Sequence, residues 1–384
     1  MASLRSLRAM ADNAPEPSRP ARLSRAQAAR PGSRRAVVVG AGSFGTAIAV
    51  LLARAGLRAV LQTRTADQAA VLSDTRENAK YLPGVELPAT LRIEPAANGF
   101  DRTDFIFLAI PSTSLGELLT TLPAMAGRGR RVPAVVSLSK GLVPPDGASP
   151  TTLLSRRVGS HHTACIDGPA HAQEMVHHGA ALVAASLNSH LAESLAAIFT
   201  RAGVVCEVSN DPIGVELAGV AKNAAALAAG ATEAQGLNAA GAAAGHIFAE
   251  VWRYAEASGA VPESMIGLAG AGDLVATALA PQSRNRRAGE LLAQGLPAAE
   301  IERQVGQAVE ALESVRLLAA RLERLGYAAP VTGGLARLIS GELPLDDWVA
   351  LVRTTVPLRG ARRGPAWWRR LRSRVINGAP PGSS

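Results

Sequence analysis

The sequence predicts an α/β protein: an N-terminal domain with a parallel-sheet core over residues 34–211, then an all-helical domain over residues 212–358. Short continuous apolar runs at 36–39, 59–61, 105–110 and 135–138 are bounded by Gly, Pro or Asp and alternate with helix-length stretches. Runs of this kind are strands buried on both faces, the mark of a parallel sheet covered by helices. Beyond about residue 209 the strand signals fade. Ala- and Leu-rich segments at 214–229, 239–258, 288–292 and 309–325 follow, with polar residues at helical spacing. A chain of 384 residues exceeds the usual span of one core, which agrees with two packed domains.

Residues 1–33 are rich in Arg, Ala, Ser and Pro without a sustained period and are expected to be a disordered basic tail. Asp12, Glu16 and the prolines Pro15, Pro17 and Pro20 spoil the amphipathic helix that a transit peptide needs. Residues 359–384 form a second basic tail. Its segment Trp367-Trp368-Arg369-Arg370-Leu371-Arg372 has the composition of an interfacial anchor, but it is short and lies beside Gly364-Pro365. A solvated tail, dispensable for catalysis, is expected.

The formal charge of +9 sits in these tails. Eight arginines against two acids give residues 1–35 a net +6, and seven arginines give residues 359–384 a net +7, which leaves −4 for the body. An acidic body argues against nucleic-acid binding, which needs clustered cations on a folded face. No apolar run approaches membrane-span length, so stable insertion is not expected. Aromatic residues are only 3% of the chain against 48% hydrophobic, so the cores must be built from Ala, Leu and Val. Cys165 and Cys206 are too few for a disulfide framework and lack zinc-site spacing, which fits a reducing, cytoplasmic setting.

The first strand, at 36–39, runs into Gly40-Ala41-Gly42-Ser43-Phe44-Gly45, and an apolar helix follows at 46–55. Gly40 permits the tight turn, Gly42 lets the backbone approach a pyrophosphate, and Gly45 lets the helix pack closely on the strand. The helix N-terminus then offers amides and positive potential to phosphates. A GxGxxG pattern alone is weak, and a glycine-rich surface turn is the alternative. The strand before it and the helix after it favour a dinucleotide. The second strand ends in Gln62-Thr63-Arg64-Thr65, with no acid where NAD-binding versions hold the ribose 2′-hydroxyl. Arg64, with the Thr63 or Thr65 hydroxyl, suits a 2′-phosphate, so NADPH is expected to be preferred, with NADH also accepted. A solvated surface arginine is the alternative.

The basic residues are nearly all arginine; the lysines are Lys80, Lys140 and Lys222. Lysine can exchange a proton where arginine stays charged. Lys140 follows the apolar strand at 135–138, at the strand end where open α/β sheets bind ligands. Lys222 lies with Asn223 on an otherwise small and apolar helix, where a lysine is costly unless it reaches solvent or a partner. Asp273, in a glycine-framed turn, would favour and orient a protonated lysine nearby. Ser283-Arg284-Asn285 offers the forked and amide donors that suit a phosphate or carboxylate, unless it is only a solvated helix start.

Together these segments resemble the NAD(P)-dependent glycerol-3-phosphate dehydrogenases of bacteria, from about residue 35 to 358. The shared motifs are the glycine turn, Ser139-Lys140-Gly141-Leu142, Gly168-Pro169, the helix 214–223, 267–274, 283–286 and Val309-Glu310. The resemblance implies a Rossmann domain and a helical domain with the active site between them. It implies cofactor contacts from Gly40, Gly42, Ser43, Phe44, Gly45, Arg64, Lys140, Ala172, Arg284, Ala308 and Glu310. It places Lys140, Gly168, Ala170, Lys222, Asp273, Ser283, Arg284 and Asn285 around a small phosphorylated substrate, with Lys222 as acid–base residue and Lys140, Asn223 and Asp273 beside it. The reaction implied is reduction of dihydroxyacetone phosphate for glycerophospholipid synthesis. A homodimer is admitted and not required.

The chain departs from that family in three places. Asp167-Gly168-Pro169-Ala170 stands where Ser-Gly-Pro-Ser or Ser-Gly-Pro-Thr is usual, Gln62 replaces a common aromatic residue, and His246 replaces a common arginine. Asp167 adds a negative charge near a dianion, and Ala170 lacks a hydroxyl. They leave open a related reductase of another small acidic substrate, while a silent dinucleotide sensor is opposed by the intact lysine and aspartate set. His161, His162, His171, His177 and His178 are expected to be surface histidines, since hydride transfer needs no metal.

Overall fold

The computed structural model describes residues 34–96, 100, 103–121, 132–280 and 283–356. The expected basic tails at 1–33 and 359–384 lie outside the described residues. The first unit is an eight-stranded sheet. Its strands are β1 (Arg35–Val39), β2 (Arg58–Thr63), β5 (Arg92–Pro95), β6 (Phe105–Leu108), β7 (Ala134–Ser137), β8 (Thr163–Asp167), β9 (Ala181–Ala185) and β10 (Val205–Ser209). They lie in the order β10-β9-β8-β7-β6-β1-β2-β5, and β3 (Glu77–Asn78) with β4 (Leu82–Glu86) forms a separate antiparallel pair.

Alternation along the strands sends side chains to two cores. Ala36 and Val38 of β1 join Phe105 and Phe107 of β6 on one face, under α1 (Ser43–Arg54). Val37 and Val39 join Ile106 and Leu108 on the other, with Leu115 from α3 (Leu115–Thr121) and Leu154 from α4 (Pro150–Val158). α2 (Ala66–Thr75) packs beside β5. The strand order reverses direction at β1, between β6 and β2, which opens a crevice at the C-terminal strand ends where open α/β sheets bind ligands.

The sheet departs from the all-parallel expectation once, because β8 and β9 pair antiparallel. Their connecting helix α5 (Ala172–His178) has seven residues, about 10 Å of rise, and falls short of the roughly 17 Å of a five-residue strand. The 13-residue α6 (Ser189–Arg201), about 20 Å long, spans the full return, and β9 and β10 are parallel again.

Among the described residues, helices alone follow β10. The first, α7 (Pro212–Thr232), is buried along nearly its whole length, as its all-round Ala, Val, Leu and Gly composition requires. Asp211 starts it by accepting from the Gly214 amide at 2.8 Å, and it also accepts from Ser264 Oγ at 2.7 Å. Around α7 lie α8 (Leu237–Ala257), α9 (Pro262–Ile266), α10 (Asp273–Leu279), α11 (Arg284–Ala293), α12 (Ala298–Val305), α13 (Glu310–Arg324), α14 (Pro330–Ile339) and α15 (Leu345–Thr354). Glu216 of α7 ties this unit to the sheet unit by accepting from the Thr151 amide of α4 at 2.9 Å. Burial pushes its carboxyl up to about 7 even though the Thr151 donors favour the charged form. No described helix is long and apolar enough to cross a membrane.

Candidate active site

The glycine turn connects β1 to α1. Gly40 has φ of 109°, and a Cβ there would overlap the Ala109 carbonyl; a Cβ at Gly45 would overlap the Gly40 carbonyl. Packing of the turn therefore demands these two glycines. Gly42 differs, since a Cβ at that position would meet nothing within 4 Å. That open space beside the first turn of α1, which carries no acidic side chain, fits a dinucleotide pyrophosphate. Asn78 of β3 steadies the turn from outside, donating to the Ala41 carbonyl at 3.0 Å and to Thr46 Oγ1 at 2.8 Å. Nothing in the motif pointed to Asn78, because it follows the turn by more than 30 residues.

At the C-terminal ends of β7 and β8 a second group of residues converges. The Lys140 ammonium lies 2.6 Å from Asp167 Oδ1 and 2.7 Å from Asp273 Oδ2, and donates to the Gly168 carbonyl at 3.1 Å. Lys222, reaching from the middle of α7, lies 3.2 Å from the same Asp273 Oδ2 and donates to Thr277 Oγ1 at 3.1 Å. Asp273 opens α10 directly after a π-helical turn, Leu268–Gly272. One carboxylate oxygen thus bridges two lysines carried by the two units of the chain. Snorkelling to the surface is ruled out for Lys222, which is only 7% exposed.

Burial works against the charge on both lysines, with opposite outcomes. For Lys140, Asp167 and Asp273 outweigh burial and raise the pKa above the ordinary lysine range. For Lys222, burial and the neighbouring Lys140 charge prevail over Asp273 and Asp167, and the pKa is lowered. Burial also opposes the charge of Asp273, but Lys140 and Lys222 overcome it and hold that carboxyl below its usual range. Burial raises Asp167, with Lys140 opposing the shift. Lys140 is therefore a fixed cation, whereas Lys222 can release its proton more easily than an ordinary lysine. The three acceptors around Lys140 match its three ammonium hydrogens; Lys222 has two acceptors among the described residues.

The remaining predicted residues surround this pair. Asn223 donates to the Lys140 carbonyl at 3.1 Å and accepts from Asn285 Nδ2 at 2.7 Å, so the helix of Ser283-Arg284-Asn285 is joined to the cluster. Ser283 caps α11 through the Arg286 amide at 3.4 Å, and Arg284, exposed, donates to Gln307 at 2.9 Å, next to exposed Ala308. Glu310, at the start of α13, accepts from the amides of Ser112 at 3.0 Å and Lys140 at 3.3 Å, which straps the helical unit across the ends of β6 and β7. The Lys140 ammonium stands 5.9 Å from the Phe44 ring centroid, so the lysine cluster and the glycine turn share one crevice. Ser43 is half-buried beside Phe44, and Ala170 and Ala172 are half-buried and pack against the sheet core.

Arg64 stands apart from that cluster, exposed at the end of β2, three strand positions from β7 and so roughly 14 Å away along the sheet edge. The hydroxyls proposed beside it are engaged locally: Thr63 Oγ1 donates to the Thr65 carbonyl at 2.8 Å, and Thr65 Oγ1 accepts from the Gln68 amide at 3.2 Å. Thr277 was missed in the sequence, although it lies one helical turn after Asp273 on α10 and that spacing could have revealed it. Asp167, expected to repel a dianion as a bare charge, is instead paired with Lys140. Among the described residues, no three His, Cys, Asp or Glu side chains are placed to hold a metal.

A glycine turn with open space beside it and a buried lysine–carboxylate cluster at one set of strand ends are the features of a two-domain nicotinamide-dependent dehydrogenase. The chain belongs to the NAD-dependent glycerol-3-phosphate dehydrogenase family, whose N-terminal region matches residues 35–192 and whose C-terminal region matches residues 211–350. It is 39% identical over 310 residues to the glycerol-3-phosphate dehydrogenase [NAD(P)+] of Deinococcus radiodurans, covering 79% of this chain and 90% of the relative. The enzyme of the same name from Polaromonas naphthalenivorans is 36% identical over 347 residues, covering 83% of this chain and 97% of the relative. The crystal structure of glycerol-3-phosphate dehydrogenase from Coxiella burnetii superposes with a TM-score of 0.77 at 28% identity, over 84% of this chain and 99% of that one.

Proposed function

We propose that this enzyme reduces dihydroxyacetone phosphate to sn-glycerol 3-phosphate in the cytoplasm, with Lys222 as the acid–base residue, and so feeds glycerophospholipid synthesis. The observation that carries the assignment of Lys222 is its burial against Asp273 with a lowered pKa, in the crevice that also holds the glycine turn. The direct test follows NADPH absorbance on adding dihydroxyacetone phosphate to the purified protein. Substrate-dependent loss is expected, and no loss at millimolar substrate with either NADPH or NADH would defeat this reading.

When bound, the nicotinamide supplies the hydride that the carbonyl carbon receives. The protein's part is alignment and proton transfer. Lys222 gives its proton to the developing alkoxide, and in the reverse direction the neutral amine takes it back. Asp273 and Thr277 hold the amine in place. Lys140, its ammonium taken up by Asp167, Asp273 and the Gly168 carbonyl, braces the cluster, and Asn223, held between the Lys140 carbonyl and Asn285, has a second amide hydrogen to offer the substrate oxygen. Ser283, Arg284 and Asn285, at the N-terminus of α11, would receive the phosphate together with the helix amides. Gly40, Gly42, Ser43, Phe44 and Gly45 would carry the cofactor's pyrophosphate, with Ala172, Ala308 and Glu310 lining the same crevice. The units 34–211 and 212–358 are taken as the cofactor and substrate domains, and a homodimer remains compatible with this arrangement.

NADPH is expected to be preferred over NADH, because β2 ends without a carboxylate that would hold the ribose hydroxyls and repel a 2′-phosphate. A charge-assisted pair with Arg64 contributes about 1.5–3 kcal/mol when partly shielded, roughly ten- to a hundredfold in affinity. Exposure of Arg64 puts the expected bias at the lower end. The measurement is kcat/KM for both cofactors in wild type and Arg64→Ala. Equal wild-type values, or a mutant that keeps its NADPH bias, would assign Arg64 to the solvated surface.

A further inference from the structure

Asp167 is the charged member of the lysine cluster to which the proposed reaction gives no task. It ends β8 and is 3% exposed. Its Oδ1 accepts from the Gly168 amide at 2.6 Å and lies 2.6 Å from the Lys140 ammonium. The other oxygen faces α7 at Gly219, where a Cβ would overlap it. A side chain met by a backbone amide, an ammonium and a glycine on a third element occupies a fitted place. With all four groups ionised, the two lysines and two aspartates of the cluster sum to zero charge, whereas removal of Asp167 alone would leave +1.

We propose that Asp167 is a positioning and specificity-determining residue that fixes and neutralises Lys140, so that the crevice meets the substrate without net charge and Lys222 is its only exchangeable proton donor. This rests on the reading of Lys222 as the acid–base residue. Three consequences follow from the geometry. Lys140, with all three hydrogens engaged, contributes little net attraction for a phosphate dianion, and binding of that group falls to Arg284 and the start of α11. Lys222 keeps more of its proton than it would without Asp167, since that carboxylate is one of two that raise its pKa against burial and Lys140. Among the described residues, the charged groups acting on Lys222 are Lys140 from the end of β7, Asp167 from β8 and Asp273 from α10, so replacing Asp167 leaves one carboxylate against two lysines.

The test uses Asp167→Asn, which preserves shape, and Asp167→Ser, which leaves room, so that the proposal survives if one of them does not fold. Calorimetric binding of inorganic phosphate at pH 8 to the cofactor-loaded protein is expected to tighten by roughly five- to thirtyfold in either variant, the scale of one unit charge acting several ångströms away at intermediate dielectric. The KM for dihydroxyacetone phosphate is expected to fall in parallel, and the alkaline limb of ketone reduction to move to lower pH, because Lys222 loses a carboxylate. A buried residue with a merely structural role would weaken binding and leave the limb in place. Unchanged or weaker phosphate binding in a folded variant, or an unmoved limb, overturns the proposal. Phosphate binding is read without turnover, so a wild-type protein inactive on dihydroxyacetone phosphate would defeat the substrate assignment separately.

Discussion

Replacing Lys222 by alanine is expected to lower kcat by roughly 10²- to 10⁴-fold, the usual contribution of a positioned acid–base group, while cofactor binding is largely kept. Cofactor binding should survive because the glycine turn is built on β1 and α1 by Gly40 and Gly45 and steadied by Asn78. Lys222→Arg is expected to be nearly as damaging. Arginine retains the charge but cannot exchange the proton, and its fork has no room to spread where the native side chain is almost fully enclosed by α7, α10 and Asp273. The pH dependence has a definite sign. Ketone reduction needs the ammonium, so its rate falls as pH rises through the lowered Lys222 pKa; alcohol oxidation needs the neutral amine and rises over the same interval. Steady-state kcat for both directions across pH, with cofactor affinity by fluorescence titration, checks all of this. Near-normal turnover in either variant removes Lys222 from the mechanism.

The parts of the fold legible in the sequence are those in which one physical demand acts alone. β1 and β6 lie inside the sheet with apolar side chains on both faces, so their runs are unbroken. The glycine turn is legible because the positive φ of Gly40 and the approach of Gly45 to the Gly40 carbonyl are backbone demands that arise within six residues. The strands that escaped notice have mixed demands. β9 is Ala-Leu-Val-Ala-Ala, as suited to a helix as to a strand, and β10 is an outer strand with Val205 and Val208 exposed and no continuous buried run. Their outcome is set by pairing, of β9 with β8 and of β10 with β9, a tertiary effect that outweighs local preference.

The site divides in the same way. Lys222 and Asn223 could be singled out because a polar group on a small apolar helix needs a partner, Lys140 by its place at a strand end, Asp273 by its glycine-framed turn and Asn285 by its donor cluster, and the structure brings these residues into one connected set. The pairing of Asp167 with Lys140 could not be read along the chain. It arises because β7 and β8 are parallel neighbours with Ser137 opposite Cys165, which carries Lys140 and Asp167 past the same sheet edge from sequence positions far apart. Register between strands decides such a contact, and register is not a local property.

Asp273→Ala is expected to destabilise the protein by about 3–5 kcal/mol, the cost of breaking a buried ion pair and leaving its partner uncompensated. Among the described residues, Asp273 Oδ2 is the one acceptor common to both lysines. Its loss leaves Lys140 with Asp167 and Gly168, but leaves Lys222 with only the Thr277 hydroxyl among the described contacts. The expected fall in Tm at pH 7 is roughly 5–15 °C. The variant also makes a prediction about pH that simple loss of packing would not. Without Asp273 the Lys222 pKa is depressed further, so the unfolded chain binds more protons than the native one in the interval between the folded and unfolded pKa values. Stability of the variant therefore rises with pH across that interval, and its deficit relative to wild type shrinks between pH 7 and pH 10. Asp273→Asn should show a smaller deficit, since an amide oxygen still accepts a hydrogen bond, yet it should retain the same pH trend. Thermal unfolding of the three proteins at four pH values decides the matter: a Tm within 2 °C of wild type for Asp273→Ala at pH 7, or a deficit that grows toward pH 10, would mean that Asp273 does not carry the charge of Lys222.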